Sequence, residues 1–155
     1  MILPTIRRAA EVALCVTMVV PLLGGCGVQA RFDPCPDDVT RVEVFNTYAD
    51  HDAADRQVLT GKDATFVCTY GFPYETLTKR AFDPSDLGQR RITVMRFAGA
   101  DGSVRTLWIY GLAGYQAGTA IILDTGESFY VPNNGPAPYY APDAEVIPRS
   151  EIPSR

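Results

Sequence analysis

A small single α+β domain built on an antiparallel β-meander is the fold class this sequence predicts, on three observations. Short runs rich in Val, Ile, Phe and Tyr alternate apolar with polar residues, the two-residue period of strands with one face buried. Two pairs of such runs are joined by Gly99-Ala-Asp-Gly102 and Asp124-Thr-Gly-Glu127, which are hairpin signals. One further stretch carries helical spacing instead of alternation.

In chain order, the first strand falls near residues 40–48, with Val42, Val44, Asn46 and Tyr48 on one side and Glu43, Phe45 and Thr47 on the other. Residues 49–57 are polar and acidic and read as a loop. Residues 58–72 admit two readings. Thr60 with Asp63 three positions on resembles an N-terminal capping arrangement, Ala64, Val67 and Cys68 share a helical face, and Gly71 can end a helix. Yet residues 65–70 are rich in β-formers. The helix, near 61–71, is the preferred reading. Pro73, Pro84 and Gly88 make residues 72–89 a loop with a short helical turn around 75–80. Strands near 91–98 and 103–110 form one hairpin, and strands near 120–123 and 128–131 form the second. After Val131 come six prolines in 24 residues, a composition suited to a flexible or polyproline-like tail rather than to a ladder or helix.

The N-terminus is of a different kind. Arg7 and Arg8 precede an apolar run over residues 12–23, broken only by Thr17 and Pro21, and then comes Leu23-Gly24-Gly25-Cys26. The run is too short to span a bilayer, which takes about 20 apolar residues, and the pattern is that of a secretory signal. The tetrapeptide resembles the lipobox of bacterial lipoproteins. In that family the cysteine receives a diacylglyceryl thioether, palmitate being a typical acyl chain, and becomes the mature N-terminus. The resemblance covers about 20 residues and implies a division into a removed signal peptide (1–25), a lipidated tether (26–38), a globular domain (39–132) and a Pro-rich tail (133–155). It implies attachment at Cys26 to the extracytoplasmic face of the cell membrane. Two acyl chains, at about 0.8 kcal/mol per buried methylene, suffice for stable anchoring. An ordinary secretory signal with Cys26 left as a thiol is the alternative. Downstream of the lipobox the domain resembles no family we can name.

On that reading Cys15 leaves with the leader and Cys26 is lipidated, so Cys35 and Cys68 remain, and in an oxidising compartment they are expected to pair. Two buried thiols are the alternative. Twelve arginines against two lysines, Lys62 and Lys79, suit a high-G+C genome, and with the lipobox they suggest an actinobacterium or one of its phages. The chain carries a formal charge of −4, and removing a leader with two arginines and one glutamate makes it one unit more negative. An acidic domain without a basic run is a poor nucleic-acid binder, and no nucleic-acid partner is expected.

Catalytic patterns are weak. Asp50-His51-Asp52 with Asp55 is the only cluster resembling metal or acid–base chemistry, and neighbouring residues in a loop read better as a solvated acidic turn than as a ligand set. The mature serines, Ser85, Ser103, Ser128, Ser150 and Ser154, sit in no Gly-x-Ser-x-Gly elbow. No metal or cofactor is expected, and the domain reads as non-enzymatic. Trp108, flanked by Leu107 and Ile109, reads as core. Tyr74 and Tyr115, beside proline and glycine, and Tyr139 and Tyr140 in the tail are the expected partner contacts, since exposed tyrosines suit interfaces. The expectation is a lipid-anchored, monomeric envelope lipoprotein binding a protein or envelope component. The alternatives are a phage- or plasmid-encoded superinfection-exclusion or immunity lipoprotein, and a small envelope hydrolase using carboxylates.

Overall fold

The computed structural model describes residues 32–72, 77–83, 85, 87, 91–112, 118–132 and 143–155. Among these, eight strands form one sheet: β1 (Val39–Tyr48), β2 (Ala53–Thr60), β3 (Thr78–Lys79), β4 (Arg91–Gly99), β5 (Val104–Leu112), β6 (Gly118–Leu123), β7 (Ser128–Pro132) and β8 (Glu145–Pro148). The order across the sheet is β3-β7-β6-β5-β4-β1-β2-β8, and every neighbouring pair is antiparallel. One α-helix, α1 (Gly61–Tyr70), connects back from β2 and packs on β1 and β2. The described residues are therefore mostly antiparallel sheet with one short α-helix, consistent with a small α+β domain.

The central run β4-β5-β6-β7 is the meander predicted from the two hairpins. Its turns close through Gly102 N–H to the Gly99 carbonyl at 3.1 Å and Gly126 N–H to the Leu123 carbonyl at 2.9 Å. Gly102 and Gly126 sit at φ of +82° and +84°, left-handed conformations in which a Cβ would be strained. β1 adds to the free edge of β4 across nine aligned pairs, from Val39 opposite Gly99 to Tyr48 opposite Arg91.

Because β1 is central, both of its faces are covered. Val42 and Val44 join the main core with Leu59, Ala64, Val67, Phe97, Leu107, Ile121 and Phe129 beneath α1. Phe45 faces the other way, into a smaller cluster with Ala54, Val94, Trp108, Ile122 and Ile147. Trp108 is core, as read, and its indole N–H donates to the Pro153 carbonyl at 3.1 Å.

The helix expected near 61–71 is α1. Its Thr60 is extended at the N-terminus but makes no side-chain cap, so the capping arrangement inferred from Thr60 and Asp63 does not form. The helix stops at Gly71, whose N–H bonds the Val67 carbonyl while keeping a right-handed φ of −73°. Cys35 and Cys68, 33 positions apart in sequence, are joined as a disulfide with Cα atoms 5.9 Å apart. It staples the chain ahead of β1 to α1.

Four boundaries differ from the sequence reading. The loop expected over 49–57 is a loop only to Asp52, because β2 starts at Ala53; its run Asp55-Arg56-Gln57 hides the alternation, and Arg56 is held in the sheet by Glu43 across the ladder. The helical turn expected around 75–80 is not helical at Thr78–Lys79, which pair as β3 with Tyr130 and Phe129. The tether expected over 26–38 is packed from Phe32 onward, whose ring meets Phe72 at 5.9 Å and Phe129 at 5.6 Å, both edge to face. The flexible tail expected over 133–155 ends in ordered structure: β8 pairs with β2, and Ile147 and Ile152 pack on the second cluster. Pro148 tolerates this place because β8 is an edge strand and Pro148 its last residue. The described portion of the folded unit thus begins before residue 39 and runs past residue 132.

Candidate functional site

The sheet face opposite α1 carries a charged cluster at the end where β1 begins. Alternation puts Arg41, Glu43, Phe45 and Thr47 of β1 on this face. Register then sets Arg96 of β4 directly opposite Glu43 and Arg56 of β2 opposite Phe45. Glu43 is only 8% exposed. Its Oε1 accepts from Arg41 Nη2 at 2.9 Å and from Arg56 Nη2, while Arg96 Nη1 stands 3.8 Å from Oε2. Arg56 also reaches Glu145 of β8 at 3.8 Å, and its guanidinium lies 6.0 Å from the Phe45 ring.

Burial alone would raise the Glu43 pKa, but the hydrogen bonds and charges of Arg56 and Arg41 outweigh it and hold the carboxyl below its ordinary value. The same contact raises Arg56. Three guanidiniums therefore share one buried carboxylate, and Arg41 and Arg96 remain about half exposed. Each guanidinium has five N–H donors, more than these contacts use, so the cluster keeps donors free for an anionic group. The exposed apolar side chains Val58 and Val104 border it by register.

A second surface lies on the far side of the sheet. Phe66 and Tyr70 of α1 are 55% and 65% exposed, with ring centroids 5.1 Å apart. Together with Val39, Thr40, Gly61, Lys62, Thr65 and Thr69 they line an open groove of about 780 Å³, with no carboxylate among its lining residues.

The Asp50-His51-Asp52 segment turns between β1 and β2. His51 Nε2 stands 3.9 Å from Asp50 Oδ1, and both side chains are well exposed. Asp55 lies within β2, opposite Asn46 and Val146, and does not converge on the turn. What organises the turn is Arg149, whose Nη1 donates to the carbonyls of Ala49 at 2.6 Å, Tyr48 at 3.0 Å and His51 at 3.2 Å. Among the described residues no group of three or more His, Cys, Asp or Glu is placed to hold a metal ion.

Cys26, Tyr74, Tyr115, Tyr139 and Tyr140, singled out from the sequence, lie outside the described residues. Cys35 and Cys68 come together as expected. The arginine cluster was missed, apart from Glu43's place on the polar side of its strand. Its only local signal is the Arg41–Glu43 spacing of two; Arg56 and Arg96 arrive from other strands, and nothing local in the chain connects them. No family model matches the chain, and neither a curated protein nor a solved structure matches it. Among the described residues no helix is long and apolar enough to cross a membrane.

Proposed function

We propose that this protein is a bacterial lipoprotein: a non-enzymatic binding domain held by acylated Cys26 on the extracytoplasmic face of the cell membrane. The observation that carries the reading is the lipobox Leu23-Gly24-Gly25-Cys26 behind an arginine-led apolar run, nine positions before Cys35. The disulfide at Cys35 supports it, since such bonds persist in oxidising compartments outside the cytoplasm. Two acyl chains anchor stably without any spanning helix.

The partner in this reading is a protein or envelope component carrying anionic groups. Arg41, Arg56 and Arg96 give it a docking point whose bidentate geometry suits carboxylates or phosphates. Intact-mass analysis of membrane-extracted protein tests the anchor. The expected product begins at Cys26 and carries diacylglycerol, and Cys26→Ala leaves the membrane fraction. An unmodified Cys26 overturns the reading. Affinity capture with Arg41→Ser/Arg96→Ser beside the parent protein tests the docking point: the partner recovered by the parent is lost. Equal recovery places the partner elsewhere.

A further inference from the structure

We propose that the outward face of α1, centred on Phe66 and Tyr70, rests on the lipid–water interface of the membrane that holds Cys26. This inference depends on the lipidated Cys26 proposed above and adds which surface of the domain meets the bilayer. Two large aromatic side chains one helical turn apart stand more than half exposed, at 55% and 65%, although the rest of α1 buries Ala64 and Val67 in the main core. On the groove side their neighbours Thr65, Thr69 and Lys62 are neutral or cationic, while Asp63, exposed three residues before Phe66, is the one carboxylate on α1 and lies outside the groove lining. That combination suits the headgroup layer, where Tyr and Trp are enriched and a lysine meets lipid phosphate.

Chain length selects this occupant over others. Phe32 follows Cys26 by six positions, a stretch that spans at most about 22 Å when fully extended. Phe32 packs on the same core cluster as α1, and three residues later Cys35 is bonded to Cys68 on the helix itself. The acyl anchor is therefore tied to the side of the sheet that α1 covers. A helix is about 10–12 Å across, so its outer surface stays within the reach of that tether. The arginine cluster on the opposite face is then turned away from the lipid and toward a partner.

The full-length protein, lipidated in a bacterial host and reconstituted in phosphatidylcholine–phosphatidylglycerol vesicles, provides the test. Phe66→Trp and Val104→Trp are compared, each keeping Trp108, with the parent protein as the blank. Val104 is 46% exposed and lies by register with Ala98 and Arg41 on the sheet face opposite α1, so it serves as the control. Bromine-labelled acyl chains are expected to quench the emission added by Phe66→Trp about twofold or more and to leave that added by Val104→Trp unchanged. Phe66→Ser/Tyr70→Ser, both at exposed positions, is expected to keep the fold by circular dichroism while α1 loses its vesicle-dependent protection from hydrogen exchange. Intact mass is read on the same samples. Diacylated Cys26 with equal quenching at both sites overturns the docking alone. Equal quenching with a dimer in solution assigns the face to a second copy and also overturns it. An unmodified Cys26 overturns the anchor, and this proposal falls with it.

Discussion

Among the described residues, the face of the sheet beneath α1 buries thirteen hydrophobic residues in one cluster, while the opposite face buries six. The larger cluster is closed by a helix and a disulfide. The smaller one is closed by the C-terminal segment, through Ile147, Ile152 and the Trp108–Pro153 hydrogen bond. Burial also pushes the Tyr110 hydroxyl up, an effect partly offset by the charge and hydrogen bond of Arg155, which brings the last residue onto this face as well. Where apolar area runs out, near β1's start, charge takes over, and Glu43 is buried with three arginines around it. One face is thus stabilised by area and covalent closure. The other combines a small apolar centre with an ion network, and such networks stabilise less than equal apolar burial.

Mutations can break this comparison. Phe97, fully buried under α1 and ring-packed against Phe72 at 5.9 Å, should give the largest loss. Phe97→Ala is expected to cost about 3–5 kcal/mol by urea unfolding. A cost below that of the Glu43 variant would invert the ranking of the two faces. Next comes Cys35→Ser/Cys68→Ser. Opening a loop closed across 33 positions should lower stability by about 3–4 kcal/mol on the chain-entropy argument. The same denaturation curves with and without reductant give an independent check.

On the opposite face, Glu43→Gln leaves Arg41, Arg56 and Arg96 without their shared carboxylate. The cost should be about 1–3 kcal/mol, less than for a fully buried pair because the arginines are partly solvated. This site also has a pH signature. Glu43's folded pKa lies below its ordinary 4.5, so its contribution is complete above that value and is lost as pH falls through the folded pKa. The parent protein should therefore shed stability in that acid range, and Glu43→Gln should shed less. Parallel profiles for the two proteins would remove the network from the ledger. The smallest effect is expected of Trp108→Phe, which deletes one hydrogen bond to Pro153 and should cost about 1 kcal/mol. Faster hydrogen exchange confined to residues 145–155 would mark the closing segment of the smaller cluster, and exchange spread over α1 would contradict the division into two faces.

Elements whose stability is local were legible in the chain. The hairpins at Gly99–Gly102 and Asp124–Glu127 were visible because left-handed turn positions call for glycine. β1 showed its two faces because Val42 and Val44 alternate with Glu43 and Phe45. Elements held by distant partners were not legible. β2 was hidden because Arg56, polar by itself, lies in the sheet only once Glu43 is beside it. β8 was hidden because its ladder partner, Asp55-Arg56, lies about ninety positions earlier, and a proline-rich composition pointed away from a strand.

The sequence by itself determined the glycine turns and the alternation in β1, and it favoured without deciding the helix near 61–71 and the Cys35–Cys68 pair; it also carries the lipobox-like tetrapeptide from which the anchoring proposal comes. Tertiary structure decided which chain ends close the core and where the charges gather. Phe32 and Ile152 became packed residues, and Arg41, Arg56 and Arg96 became one site, only when strands far apart in sequence were laid side by side. The reason is physical. A turn or helix is stabilised within a few residues, whereas an edge strand or a buried ion network exists only after loop closure has brought its partners within about 4 Å.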